Sequence, residues 1–306
     1  MGVDISIVIP LFNEEANLKP LYSRLTSTMQ DQRKSYEIIL VDDGSTDGSI
    51  QIIKELCGND NHVRGIQLTR NFGQVPAIIA GCDIASGDII VTIDADLQNP
   101  PEEMPKLIDK LDDGYEIVFG VFPQRKHNVF RRTGSWFAKW VLSRIVPVDT
   151  TNISGFRAMN SYVVEQLNSL KEKNVFFSGL LCWTGYRVGL VEVQHDARYA
   201  GRSKYNSFIL LSRWLDMVVS FTELPFRIAT FGGLFLGIVG FTLAFFYLIK
   251  YIIHGSSVPG FTTIVILITC FSGIQLFTLG ILGEYIGRMS REVKNRPDYV
   301  VREIIN

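Results

Sequence analysis

Two stretches near the C-terminal end of the chain carry no charged residue: 228–249, with 22 residues, and 261–283, with 23. A helix needs roughly 20 apolar residues to cross a bilayer, so each run predicts a membrane-spanning helix, over about 228–253 and 261–283. The connector 254–260 (HGSSVPG) is short and turn-rich, as a helical hairpin requires. Arg288, Arg291, Lys294, Arg296 and Arg302 follow the second run, while the connector has no Lys or Arg. The positive-inside rule then places both chain ends in the cytoplasm. Neither run has an ionisable residue at its centre, and two helices are too few for a solute pathway. Just before them, residues 206–223 can set Ile209, Leu210, Trp214, Met217, Val218 and Phe221 on one helical face. Arg198, Arg202, Lys204, Arg213 and Arg227 surround that stretch, which predicts an amphipathic helix in the membrane interface over 206–227.

The first 205 residues have a different character. Apolar, Ile- and Val-rich runs over Ile5–Pro10, Tyr36–Asp42, Val63–Leu68, Asp88–Asp94, Tyr115–Val121 and Arg187–Val193 alternate with helical patterns. The helices are expected over Glu15–Met29, Gly48–Leu56, Val75–Ala85, Glu102–Leu111, Arg131–Ile145 and Tyr162–Leu170. Near-continuous apolar strands are buried on both faces, and strand–helix alternation of this kind predicts an α/β domain with a parallel sheet between helical layers. No signal peptide is expected, because residues 4–10 (DISIVIP) already read as a buried strand. The domain plan is therefore a cytosolic domain 1–205, the interfacial region 206–227, the hairpin 228–283 and a cytosolic tail 284–306. A net charge of -1 argues against nucleic acid as a partner. Cys57, Cys82, Cys182 and Cys270 form no C-x-x-C pair and read as reduced packing residues.

Ligands of such sheets bind beyond the carboxyl ends of the strands, and the acidic clusters fall there. Asp94 and Asp96, at the end of the fourth expected strand, are spaced so that both carboxylates can meet one hard cation. A helix cap or solvated turn is the plainer alternative. Asp42 and Asp43 end the second strand, ahead of Gly44-Ser45-Thr46-Asp47, where Thr46 or Asp47 suits a helix cap. Capping leaves the adjacent Asp42–Asp43 pair unexplained; donors on a base or ribose would suit it. Pro10 to Glu15 (PLFNEE) ends the first strand on the same edge. No G-x-x-x-x-G-K-[ST] occurs, no G-x-G-x-x-G follows a strand, and no G-x-S-x-G is present. P-loop, dinucleotide-dependent and serine-hydrolase chemistry are thereby disfavoured.

The segments IPLFNEE, VDDGSTDGS, RNFGQ, DADLQNPPEE and SGFR, followed by RYAGRSKY (198–205) and GEYIGR (283–288), together resemble the family 2 glycosyltransferases of the A-type, Rossmann-like fold. Within that family the chain is similar to the polyisoprenyl-phosphate glycosyltransferases over essentially its whole length. The resemblance implies a nucleotide-sugar donor, a polyisoprenyl phosphate acceptor, Mg²⁺ or Mn²⁺ as cofactor, a homo-oligomer, and a place in the bacterial inner membrane. It further implies that Pro10, Asn13, Glu14, Asp42, Asp43, Asp94 and Ala95 meet the donor, and that Asp94, Asp96 and Gln98 hold the metal. Arg125, Arg131, Arg157, Arg202 and Lys204 would face donor or lipid phosphate, with Asp96, Arg157 and Lys204 carrying the catalytic burden. Arg suits such a site as a planar fork and Lys as a mobile point charge. Several bacterial relatives have an Asp immediately before the Phe-Arg pair, proposed there as a base; here Gly155 stands in that place, and Asp149 is the nearest preceding acid.

Two other readings stay open at this stage. A processive polysaccharide synthase would carry Q-x-x-R-W, where this chain has Leu210-Leu211-Ser212-Arg213-Trp214. A non-catalytic membrane scaffold could keep the same fold, although Asp94, Asp96, Arg157 and Lys204 speak for catalysis. The sequence leaves the sugar open and favours UDP over GDP by resemblance alone.

Overall fold

The computed structural model describes residues 2–32, 34–122, 153–170, 177–196, 260–294 and 297–306, with isolated helical positions between 231 and 253. The chain divides into two compact units, Met1–Tyr205 together with Pro297–Asn306, and Asn206–Arg296.

The first unit is built on strands β1 (Val3–Leu11), β2 (Tyr36–Asp42), β3 (Val63–Leu68), β4 (Gly87–Thr92), β5 (Ile117–Val121), β6 (Ile153–Asn160), β7 (Val188–Glu192) and β8 (Val301–Ile305). Its helices are α1 (Glu15–Asp31), α2 (Ser49–Asn59), α3 (Gln74–Ile84), α4 (Met104–Asp112), α5 (Ser161–Leu170) and α6 (Phe177–Trp183). The strands form one sheet in the order β7-β5-β6-β4-β1-β2-β3-β8. Alternation along β1 explains the layers. Ile5, Ile7 and Ile9 face α1, α2 and α4 in one core, while Val8 joins Ile39, Val41 and Ile66 under α3, α5 and α6 in the other. Full burial of an Ile or Leu side chain contributes about 1.5–3 kcal/mol, so this two-sided burial is what makes the six Ile/Val-rich strands legible. Helix α3 lies close on the sheet at Gly81, where a β-carbon would come within 2.4 Å of Val8 Cγ1 and 2.9 Å of Val41 Cγ2.

Two strands depart from the expected parallel arrangement. β6, inserted between β4 and β5, is antiparallel to both, and β8 pairs antiparallel with edge strand β3. The sheet is therefore mixed. β6 (ISGFRAMN) escapes a periodicity reading because Gly155 and Arg157 interrupt its apolar run. β8 was expected only as part of a tail; its alternation is short, and its charged Arg302 and Glu303 are exposed. The expected helix Arg131–Ile145, the expected interfacial helix 206–227 and the candidate site residues Arg125, Arg131, Arg202 and Lys204 lie outside the described residues, and the expected span 228–253 is described only at isolated positions.

In the second unit, α7 (Phe261–Val293) is one continuous 33-residue helix that contains the whole uncharged run 261–283. Counting only the described residues, no helix is long and apolar enough to cross a membrane.

At the sheet end opposite the acidic clusters, Glu37 is buried. It accepts hydrogen bonds from Ser6 Oγ at 2.6 Å, from the amide and hydroxyl of Ser86 at 2.7 Å, and from Arg64 Nη1 at 3.1 Å. Burial alone would raise its carboxyl, but these donors outweigh it and hold the group below the usual 4.5. A carboxylate depressed in the folded state stabilises the fold above its unfolded pKa and loses that contribution as pH falls through the folded value. Glu37→Ala should cost about 3 kcal/mol at pH 7, and the gap from wild type should narrow below pH 4.5. Thermal melting of the full chain across pH 3–7 checks both.

Candidate active site

The carboxyl ends of β1, β2 and β4 come out side by side. Leu11 is paired with Asp42, Val8 with Thr92, and Asp43 N–H donates to Leu11 O at 2.9 Å. The three acidic or polar clusters, which end the first, second and fourth strands, thus share one sheet edge, as the strand-end rule requires.

Asp42 and Asp43 are both buried. Asp43 accepts the amides of Phe72 at 2.7 Å and Gly73 at 2.8 Å. Burial pushes the Asp43 carboxyl above its ordinary range, those two amides hold it back, and the neighbouring Asp42 charge adds to the rise. Asp42 Oδ1 accepts Ser45 N–H at 2.9 Å, whereas Asp42 Oδ2 is buried with no hydrogen-bond partner among the described residues. An unpaired buried acceptor is costly, and this one lies at the edge where a ligand would bring a donor. Gly44 makes the turn possible: its φ is +71°, and a β-carbon there would sit 2.6 Å from Arg70 C.

Asn13, with φ of 57°, and Glu14 serve mainly to join two helix starts. Asn13 N–H donates to Ser45 Oγ at 2.9 Å, Thr46 N–H donates to Asn13 Oδ1 at 2.8 Å, and Glu14 N–H donates to Ser49 Oγ at 3.1 Å. Asp47 takes the amides of Glu15 and Ser49, and Glu15 takes that of Gly48. Asp47 thereby takes the first amide of each helix, Glu15 N–H in α1 and Ser49 N–H in α2. Pro10 and Ala95 are buried at the same edge.

Beyond β4, the turn Asp94–Gln98 puts Leu97 at φ 61°, which is unusual for a bulky residue. Its side chain is buried in the core beneath the turn. Asp96 Oδ1 accepts Gln98 N–H at 3.1 Å, and Gln98 O accepts Asp196 N–H at 2.9 Å from the chain leaving β7. Asp94 Oδ1 accepts Gln74 Nε2 at 2.6 Å. Among the described residues no three His, Cys, Asp or Glu side chains gather as a metal site.

Arg157 is buried, not spread on the surface. It pairs across strands with Thr92 and Phe119. Nε donates to Thr92 Oγ1 at 2.9 Å, Nη1 donates to Ser178 Oγ at 3.1 Å, and the guanidinium lies 4.5 Å over the Phe177 ring. Burial pushes it down to about 10, against the pull of Asp94, so it stays charged at neutral pH. Its positive charge and the Asp94 carboxylate attract each other. Gly155 lies opposite: a β-carbon there would be 3.0 Å from Asp94 Oδ2. The structure adds Gln74, Thr92, Ser178 and the Phe72 and Gly73 amides to the site. The RNFGQ segment was the only sign of three of them, and it carried no stated chemistry.

The sequence profile described as "Glycosyl transferase family 2" matches residues 6–184, more than half the chain. The chain belongs to glycosyltransferase family 2. It is 37% identical over 301 residues to the SfII prophage-derived bactoprenol glucosyl transferase of Shigella flexneri, covering 98% of this chain and 97% of that one. It is 35% identical over 305 residues to the undecaprenyl-phosphate 4-deoxy-4-formamido-L-arabinose transferase of Aeromonas hydrophila, covering 98% and 94%. Among solved structures, the mannosyl-3-phosphoglycerate synthase of Rubrobacter xylanophilus matches with a TM-score of 0.51 at 15% identity, covering 75% of each chain. That likeness supports the fold.

In this family-2 enzyme, Gly155→Asp would force a second carboxylate against Asp94. Glycosyl transfer is expected to fall at least tenfold, equivalent to about 1.4 kcal/mol in the barrier. Gly155→Ala, uncharged, should lose less. Turnover of the two variants under saturating donor checks the order.

Proposed function

We propose that the enzyme transfers a sugar from a UDP-sugar to the phosphate of an undecaprenyl-type polyisoprenyl lipid, with inversion at the sugar, on the cytoplasmic side of the bacterial inner membrane. The observation that carries this reading is the near-full-length similarity to two lipid-phosphate sugar transferases. That similarity runs through both uncharged stretches as well as the sheet domain.

The nucleoside is assigned to the edge between β1 and β2, with Pro10 and Glu14 beside it. Asp42 Oδ2 offers a buried acceptor for an N–H such as that of uracil, and Asp43 is fixed next to it. The donor set of Asp94, Asp96 and the Gln98 side chain is all oxygen, which fits Mg²⁺ or Mn²⁺ sharing its remaining positions with water and diphosphate. When bound there, the metal ion would neutralise the departing diphosphate.

The chain's own residues then do three things. Asp94, backed by the Arg157 charge and held by Gln74, keeps its carboxylate fixed at the strand tip. Gln98 is held by the segment after β7, which leads within six and eight residues to Arg202 and Lys204. Those two cations, with Arg125 and Arg131, are assigned to the donor and lipid phosphates. The acceptor phosphate oxygen attacks the anomeric carbon, the bond from that carbon to the diphosphate breaks, and the nucleoside diphosphate leaves with the electron pair. A phosphate monoester has a second pKa of about 6, so the acceptor is already dianionic and needs no base at position 155. Positioning two anions together is the main contribution.

The membrane reading follows the full sequence. Ile264, Ile268, Leu279, Phe235 and Phe246 are exposed apolar side chains on uncharged helical runs, a pattern suited to lipid. Small residues Gly232, Gly233, Gly237 and Gly240 would allow helices of neighbouring copies to approach closely.

Washed membranes carrying the full chain, given radiolabelled UDP-sugars and undecaprenyl phosphate, test the proposal. One UDP-sugar should label the lipid, and Asp96→Asn should lower the rate at least about 100-fold. Labelling undiminished in that variant would remove the metal assignment; no lipid labelling from any nucleotide sugar would remove the acceptor.

A further inference from the structure

The segment between β3 and α3, Thr69-Arg70-Asn71-Phe72-Gly73, touches both acidic clusters through its inner end. Phe72 and Gly73 give their amides to Asp43, and Gln74, the first residue of α3, gives its side-chain amide to Asp94. The segment is also pressed on Gly44, since a β-carbon there would meet the Arg70 carbonyl carbon at 2.6 Å and the Asn71 nitrogen at 2.8 Å. Arg70 lies 4.1 Å over the Phe72 ring, which stiffens the loop from within.

The outer end of the same segment is held by residues that come more than 200 positions later in the chain. Thr69 N–H donates to Val300 O at 2.9 Å, and Arg302 Nη2 donates to Thr69 O at 3.2 Å, so both backbone groups of Thr69 are taken by the C-terminal strand. Leu68 is paired with Val301 across an irregularity in the β3–β8 ladder. Tyr299 O–H donates to Asp83, which lies on α3, so the helix that carries Gln74 is held too. Glu303 faces away from this loop and pairs with Lys54 on α2 at 2.8 Å.

We infer that Tyr299, just ahead of β8, and Arg302, on β8, are positioning residues for the nucleotide pocket: they fix the Thr69–Gln74 segment that aims Asp43 and Asp94. Covering the bare edge of β3 is a sufficient reason for a strand to exist there, but it does not require both backbone groups of Thr69 or the far side of α3 to be engaged. The arrangement makes the donor site depend on chain that is synthesised after the membrane helices. The inference rests on the nucleotide-sugar reading above.

The test uses the full chain in detergent, with UDP and Mn²⁺ as the probe in titration calorimetry, and lipid transfer as a second readout. Arg302→Ala and Tyr299→Phe should each weaken UDP binding about fivefold and the pair more than tenfold. The rise should appear in the KM for donor, with the KM for undecaprenyl phosphate within twofold of wild type. Hydrogen exchange at the Phe72 and Gly73 amides should quicken in the same variants. Arg302→Lys should restore part of the affinity, and Glu303→Gln, which breaks the outer ion pair of the same strand, should change it less than twofold. Equal UDP affinity and equal exchange at 72–73 in wild type and the double variant would overturn the positioning role. An equal loss from Glu303→Gln would overturn it as well, by reducing the strand to an edge cover. Wild-type chain that binds no UDP would overturn the nucleotide reading itself, whatever the variants do.

Discussion

Two backbone amides on one carboxylate set the geometry on which the rest of the site depends. Phe72 and Gly73 donate to Asp43 at the tip of β2, and so tie the loop after β3 to the carboxyl edge of the sheet. That tie opposes the rise in the Asp43 pKa caused by burial and by Asp42, and the nearby Arg70 charge opposes it as well. The same loop hands Gln74 to Asp94, so the paired carboxylates at the tip of β2 and the acidic turn after β4 are connected through a single short segment. Positive charge near Asp94 comes from Arg157, buried on β6 and held by Thr92 and Ser178. A buried guanidinium of this kind is useful as fixed field, because a low-dielectric setting strengthens its effect on Asp94.

How much of this could be read from residues alone differs by element. Strands β1 to β5 and β7 were visible because burial on two faces leaves an Ile/Val run that polar residues scarcely interrupt. β6 is hidden because a buried charge in mid-strand, two residues from a glycine, interrupts its apolar run. β8 is hidden by context: five residues after a long apolar helix look like a tail until a bare edge strand is found for them. Within the site, the carboxylates Asp42, Asp43, Asp94 and Asp96 announced themselves by falling at strand ends. The basic side of the pocket did not resolve in the same way. Arg157 reads in sequence as a phosphate-facing, catalytic residue; the fold adds that it is buried and electrostatically coupled to Asp94. Of the two expected helix caps, Asp47 does accept helix-start amides, those of Glu15 and Ser49, while Thr46 donates its own amide to Asn13 Oδ1.

Gly155 shows how steric and electrostatic demands coincide. With no side chain there, β6 can pass within contact distance of the Asp94 carboxylate. A nucleophile that arrives as a phosphate dianion needs no proton removed, so nothing in the chemistry asks for a carboxylate at that place. What the chemistry does ask for is close approach of two highly charged substrates, one of them confined to the bilayer, and that is a problem of placement and screening.

The most direct test of this account is an experimental structure of the full chain with UDP bound. The account predicts that the nucleoside lies between the tips of β1 and β2, with an N–H of the base on Asp42 Oδ2 and the diphosphate running toward Asp96. A UDP molecule bound away from that edge, or seated there with Asp42 Oδ2 still unpaired, would contradict it.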